Sequence, residues 1–190
     1  MIQLVLPADF GNALSRIFIL CLFALAQFLF IRHFFLKIVN NAKVFYIFGI
    51  IWIIFSLFWL ISYTFSIWGD PGSLERELKN LGYLTKEGNL INLPPEIDSL
   101  PRCPKCNLPK PRRTHHCSTC DKCYFRFDHH CPVIGNCVAL YNTKSFILFL
   151  CYSGILIYLI FIGMILGYYN LGWHSIIPIS GGIFAVVVGS

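Results

Sequence analysis

The chain alternates between long apolar runs and one long polar stretch. Three runs are long enough to cross a bilayer: about Ala13 to Phe35, Val44 to Trp68 and Phe146 to Tyr169. Each exceeds the ~20 residues that a helix needs to span about 30 Å of hydrocarbon. A fourth run, Ile176 to Ser190, holds only 15 residues. It is too short to span, and the expectation is a fourth helix cut short by the chain end. The first run is too long for the core of a signal peptide. Arg32, His33 and Lys37 stand at its end in place of a small-x-small cleavage site, so it reads as a signal anchor behind a short polar lead, residues 1–12.

Between the second and third runs lie about 77 mostly polar residues. Asp70-Pro71-Gly72 ends the second helix, because Pro71 cannot continue it and biases Asp70 away from helical geometry. Ser73 is placed to cap a short helix, Leu74 to Leu81, which Gly82 stops. Leu74, Leu78 and Leu81 share one face of it, expected to rest on the membrane surface. Residues 83–101, with Gly88, Pro94, Pro95 and Pro101, read as a linker. Residues 102–142 are poor in aliphatic side chains, and a metal is the expected substitute for the missing core. The expected fold is an all-α integral membrane protein with an inserted metal-binding module. Residues 1–68 supply two transmembrane helices and their loop, and 69–101 a juxtamembrane helix and linker. Residues 102–142 supply the cysteine-rich module, and 143–190 the third transmembrane helix and a partial fourth.

Composition supports this division. The chain is 56% hydrophobic and 13% charged, where a soluble domain carries about 25% charged residues. The net charge of +6, from 15 basic and 9 acidic residues, fits anionic lipid headgroups at ~1 kcal/mol per contact, or a phosphate-bearing substrate. Basic residues this close to a bilayer argue against nucleic acid as a partner. Near the membrane ends of the long loop stand Arg76, Lys79, Lys86, Arg126 and Lys144, against Arg32, Lys37 and Lys43 in the short first loop. That balance places the module in the cytosol. A reducing compartment makes its clustered cysteines metal ligands rather than disulfides.

Between residues 103 and 137 there are seven cysteines and four histidines. Cys103, Cys106, His116 and Cys123 read as C-x2-C-x9-H-x6-C. Fourteen residues on, Cys117, Cys120, His130 and Cys137 read the same way. Two tetrahedral Cys3His zinc sites follow, the second beginning before the first closes. A more compact set, Cys103, Cys106, His116 and Cys120, is an alternative partition. His115, His129 and Cys131 are left over. Cys131 opens a third copy of the period, but Ile134 stands where its partner would be. One reading is a decayed repeat with an inert cysteine. The other is a spare nucleophile: thiolate is the reactive form, His129 is adjacent, and Asp128 precedes it. Asp128 could instead pair with Arg126.

With Asp128-His129-His130-Cys131 inside this framework, the chain resembles the DHHC protein S-acyltransferases, the palmitoyltransferases. The resemblance runs from the second span to the third and rests on several further matches. These are Asp70-Pro71-Gly72, Lys110-Pro111, His115-His116-Cys117, Pro132, Asn136-Cys137 and Asn142. It implies a four-helix membrane fold with the module on the cytosolic face, in the ER, Golgi or plasma membrane. It implies two structural zinc ions, with His130 as a ligand. Cys131 would be the acylated nucleophile, activated by His129 and Asp128. The acyl donor would be a long-chain acyl-CoA, and the acceptor a cysteine of a protein near the bilayer. Arg112, Arg113, Lys122 and Arg126 are candidate partners for the CoA phosphates. The chain departs from the family at Val133, where a tryptophan is usual, and at Ala139, where a glycine is common. It also lacks the Thr-Thr-x-Glu motif beyond the fourth helix. Two rivals are a zinc-stabilised membrane scaffold and a RING-like ubiquitin ligase; neither gives Cys131 a role. Cys21 and Cys151 lie inside spans and read as lipid- or core-facing, while Trp52 and Trp59 read as packing residues. Trp68 suits an interfacial belt, and Phe125 and Phe127 either dip into the bilayer or cover the module.

Overall fold

The computed structural model describes residues 8–31, 42–85 and 87–171, without the side chains of 8–12, 42–45, 164 and 166–171. Arg32, His33, Lys37, Lys86, His174, the start of the polar lead and the apolar block Ile176–Ser190 lie outside the described residues.

Three long helices form where the apolar runs predict them. They are α1 (Ala8–Phe30), α2 (Ala42–Trp68) and α5 (Thr143–Leu171). Each contains a segment long and apolar enough to cross a membrane: Ala13–Phe30, Tyr46–Trp68 and Thr143–Gly163. Between α2 and α5 come two short helices, α3 (Leu74–Asn80) and α4 (Pro95–Asp98). Four three-residue strands follow: β1 (His115–Cys117), β2 (Lys122–Tyr124), β3 (His129–Cys131) and β4 (Asn136–Val138). The chain is therefore not all-α. β1 pairs with β2 and β3 with β4, each pair an antiparallel hairpin. Three-residue strands leave no room for the apolar–polar alternation that announces a strand in sequence; here the pairing is set by the ligand residues themselves.

Contacts divide the chain into two units. Of the described residues, one comprises 20–31, 42–59 and 150–171. Within it, aromatic faces join the helices: Phe23 stacks on Trp59 with centroids 3.9 Å apart, and Phe30 on Trp52 at 3.7 Å. The polar edges of both indoles are satisfied, as apolar surroundings demand. Trp52 Nε1 donates to Gln27 Oε1 (2.6 Å), and Trp59 Nε1 to Ser153 Oγ (2.8 Å). Cys21 and Cys151 face outward.

The other comprises 8–19, 60–85 and 87–149. It gathers the start of α1, the end of α2 and the start of α5 with the cysteine-rich module. The helix α3 ends as Gly82 predicts. Gly82 takes a φ of 76°, its N–H bonds the Lys79 carbonyl and the Tyr83 N–H bonds the Leu78 carbonyl, the two bonds of a Schellman cap. Two expectations fail. The Ser73 side chain makes no capping hydrogen bond. The leucine face does not rest on a membrane: Leu74 and Leu78 are buried against Leu84, Cys103, Leu108 and Cys123, while Leu81 is exposed. The module lacks aliphatic residues of its own and recruits them from the preceding helix. Part of the supposed linker is folded too, with a bridge between Leu84 and Leu90. A second cluster holds Cys117, Tyr124, Cys137 and Ala139, with Phe127 against it.

The Asp70-Pro71-Gly72 turn ties these parts together. Pro71 and Gly72 carbonyls accept the N–H groups of Tyr141 and Phe125, 3.2 and 3.0 Å away. Gly72 has a φ of 99°, and a Cβ there would stand 3.2 Å from the Tyr141 ring, so glycine meets both a backbone and a packing demand. Partial burial works against ionising Asp70. Hydrogen bonds from the Gly72 N–H and from Arg76 outweigh it and hold the carboxyl below its usual range.

Candidate functional site

Two groups of four potential metal ligands form in the module. Cys103, Cys106, His116 and Cys123 bring their ligand atoms within 4.8 Å of one another, as do Cys117, Cys120, His130 and Cys137. His116 Nδ1 lies 3.1 Å from Cys106 Sγ and 3.9 Å from Cys123 Sγ. His130 Nδ1 lies 3.8, 3.4 and 3.6 Å from the sulfurs of Cys117, Cys120 and Cys137. The Cys120 and Cys137 sulfurs are 3.5 Å apart. A tetrahedron built on metal–sulfur bonds of ~2.3 Å has edges of ~3.8 Å. The spacing, the buried or half-buried sulfurs and the soft donor set therefore fit one four-coordinate ion in each group.

The hairpins explain how. Across β1–β2, His116 faces Cys123; across β3–β4, His130 faces Cys137. Each hairpin thus offers a histidine and a cysteine to one cage, and the preceding C-x-x-C turn offers the other two ligands. The tip of the first hairpin, Cys117 to Cys120, is the C-x-x-C turn of the second cage. In both turns burial disfavours ionising the first sulfur. Backbone N–H groups outweigh it, from Cys106 and Lys105 at Cys103 and from Cys120 and Thr119 at Cys117, and lower both thiols. Burial, then neighbouring sulfurs, push Cys123 and Cys137 up, so a cation is needed for all the sulfurs of a cage to be thiolates together. Burial, with His129 beside it, lowers His130, which favours the neutral ring that ligation requires.

Cys131 belongs to neither group. It is buried, at 6% exposure, and occupies in the second hairpin the place of Cys117 in the first, opposite Asn136 as Cys117 is opposite Lys122. Strand alternation sends neighbours to opposite faces. His130 turns to the cage, while His129 and Cys131 share the other face. His129 Nδ1 is 3.2 Å from Asp128 Oδ2, and its ring meets Phe146 of α5 edge-on at 5.7 Å. Asp128 is thus paired with His129, and the Asp128 N–H is fixed to the Val138 carbonyl at 3.0 Å. The third period is real in the backbone. Asn107, Asp121 and Gly135, fourteen residues apart, all adopt left-handed φ, 53°, 51° and 58°, each just after its turn.

The hairpin that carries Cys131 is fastened to the helices. Asn136 Nδ2 donates to the carbonyls of Ser66, Ile67 and Gly69 at 3.3, 3.0 and 3.0 Å, capping the orphan carbonyls at the end of α2. Buried Asn142 donates to the Cys137 carbonyl (2.7 Å) and accepts from the Ala139 N–H (2.9 Å). Arg16 and Ser15 of α1 also reach this hairpin. Sequence reasoning passed over Arg16; the signal available was a charge inside an apolar span. Arg112, Arg113, Lys122 and Arg126 are all exposed. Lys122 helps to hold the Glu75 carboxyl down, after the hydrogen bond from Lys79. Phe125 and Phe127 pack against the two cages, covering the module. A groove of about 610 Å³ runs between residues 88–93 and the first C-x-x-C turn, with none of Asp128 to Cys131 in its lining.

Residues 96–181 match the family model described as DHHC palmitoyltransferase. The chain is 47% identical over 77 residues to palmitoyltransferase ZDHHC20-A of Danio rerio, covering 40% of this chain and 21% of that protein. It is 45% identical over 77 residues to palmitoyltransferase ZDHHC2 of Homo sapiens, covering 40% and 20%. It is 37% identical over 109 residues to palmitoyltransferase pfa3 of Emericella nidulans, covering 50% and 20%. The matches thus span about a fifth of the length of these relatives.

Proposed function

We propose that this chain, whose residues 96–181 are of the DHHC palmitoyltransferase type, acts as a membrane-embedded protein S-acyltransferase with Cys131 as its acylated nucleophile. The observation that carries the reading is the position of Cys131. It lies on a strand between His130 and Cys137, ligand candidates of one cage, yet belongs to neither cage.

The two cages would hold zinc, since a Cys3His set at tetrahedral spacing suits that ion. With four protein ligands each, both sites are closed, and bound zinc would supply structure by locking the hairpins. His129 takes the proton from the Cys131 thiol, and Asp128, 3.2 Å from Nδ1, orients the ring and stabilises the imidazolium. The Cys131 sulfur attacks the thioester carbonyl of a long-chain acyl-CoA. The bond from that carbonyl to the CoA sulfur breaks, and the departing sulfur recovers the proton from His129. The acyl group now rests on Cys131 as a new thioester. A cysteine thiol of a target protein then attacks it, takes the acyl group and leaves the Cys131 thiol restored. Arg112, Arg113, Lys122 and Arg126, all exposed, are candidates to meet the CoA phosphates in water. The acyl chain would lie among the transmembrane helices, where burial returns ~0.8 kcal/mol per CH2. The module would face the cytosol, where acyl-CoA and target cysteines are found.

Incubation with a traceable palmitoyl-CoA tests the reading. Hydroxylamine-labile label is expected on the unmodified chain and absent from Cys131→Ser at unchanged metal content. Equal labelling of both removes Cys131 from the chemistry and leaves a metal-stabilised membrane scaffold.

A further inference from the structure

Four consecutive carbonyl groups follow Cys131, and each accepts a hydrogen bond from a side chain of a membrane helix. Pro132 O accepts from Ser15 Oγ (2.6 Å) and Val133 O from Tyr63 Oη (3.5 Å). Ile134 O accepts from Arg16 Nε (3.0 Å), and Gly135 O from Arg16 Nη2 (2.6 Å). The donors come from α1 and α2, and the α1 donors stand 117 to 119 residues away in sequence.

This stretch is the third turn of the repeat. In the first two turns a second cysteine follows at the fourth position and, with the first, faces a cage. In the third, Ile134 occupies that position and is fully buried. The turn keeps its backbone form, with Gly135 left-handed like Asn107 and Asp121, but offers no second sulfur. A guanidinium inside an apolar span is costly unless it is hydrogen-bonded. Here Nε and Nη2 of Arg16 each donate to one of two adjacent carbonyls, in charge-assisted bonds stronger than neutral ones.

We propose that Ser15, Arg16 and Tyr63 form a donor clamp that does for the third turn what a metal ion does for the first two, and that Arg16 is a positioning residue for acyl transfer at Cys131. The proposal rests on the acyltransferase reading for its second half only. The clamp holds the segment that begins at the nucleophile, so it sets where the sulfur points relative to the bilayer surface. Freeing that segment leaves both cages intact but lets the sulfur drift, and a displacement of about 1 Å costs on the order of 100-fold in rate.

The test uses the full chain in lipid nanodiscs, with metal content, amide hydrogen exchange over residues 133–136, and palmitoyl-CoA-dependent acylation of Cys131 measured together. For Arg16→Gln the expected result is unchanged metal and exchange about tenfold faster, the loss of roughly one hydrogen bond of local stability. The maximal acylation rate falls ~10- to 100-fold at unchanged KM for palmitoyl-CoA. Arg16→Lys, which keeps the charge but loses the planar fork, recovers part of the rate. Unchanged exchange overturns the clamp. A raised KM at constant maximal rate overturns the positioning role and makes Arg16 a CoA contact. If Arg16→Gln loses metal, the double variant Ser15→Ala/Tyr63→Phe decides. Faster exchange with full metal supports the clamp, and unaltered exchange sinks it. Exchange requires no acylation, so a chain that never acylates Cys131 defeats the acyltransferase reading without touching the clamp.

Discussion

His130 and Cys131 are adjacent in sequence and serve opposite faces of one strand: His130 Nδ1 sits among the sulfurs of Cys117, Cys120 and Cys137, while Cys131 joins neither cage. A three-residue strand is enough to separate a ligand from a free thiol. Consecutive side chains of an extended segment cannot converge on one ion.

Metal content separates the two kinds of cysteine. Cys131→Ser is expected to retain two metal ions per chain and Cys120→Ser about one, measured by elemental analysis of the purified protein. Removing both ions with a strong chelator is expected to unfold the module, since structural zinc contributes about 10 kcal/mol or more to such small folds. Near-ultraviolet circular dichroism with and without chelator checks this, and an unchanged signal contradicts it.

Leu74 and Leu78 make the short helix part of the module's core. Leu74→Ala is expected to destabilise the module by about 2–4 kcal/mol, as for other buried leucines. Leu81→Ala, at an exposed position, is expected to stay within about 0.5 kcal/mol. Thermal unfolding in detergent distinguishes them, and equal shifts would return the helix to the membrane surface.

Gly72→Ala meets both a left-handed backbone and the Tyr141 ring. Its cost is expected to be at least ~1 kcal/mol from the backbone alone, seen as a lowered melting temperature. Tyr141→Ala introduced alongside should relieve the contact but not the backbone term, so the pair is expected to recover only part of the loss.

Asp70 carries a pH signature. Its carboxyl is depressed in the folded chain by Gly72 and Arg76 against the effect of burial. Its contribution to stability is therefore full above the unfolded value of about 3.9 and disappears as pH falls through the lower folded value. Asp70→Asn is expected to flatten the acid limb of a stability-versus-pH curve and to leave the neutral limb parallel to that of the unaltered chain.

The repeat of cysteine and histidine was legible in sequence because ligand chemistry leaves few substitutes. The spans were legible because a bilayer demands length. The strands were not, since three residues carry no periodicity. Nor was the destination of the Leu74 face, because an apolar stripe looks the same whether it meets lipid or Leu108. The hold of Ser15, Arg16 and Tyr63 on residues 132–135 was invisible for another reason. Its acceptors are backbone carbonyls, which every residue offers, so the sequence does not mark which of them a distant guanidinium will find.

The interleaving of the two cages bears on how the chain is made. When Cys123 leaves the ribosome, the first ligand set is complete, but Cys117 and Cys120 are also present and their own partners, His130 and Cys137, are still unmade. From Cys123 until His130 emerges, the nascent module holds six candidate ligands for one ion. Order of emergence cannot select the right four, and the hairpin pairing of His116 with Cys123 must do so. A change that slows closure of that hairpin would therefore send metal to the wrong sulfurs before the strand that carries Cys131 exists.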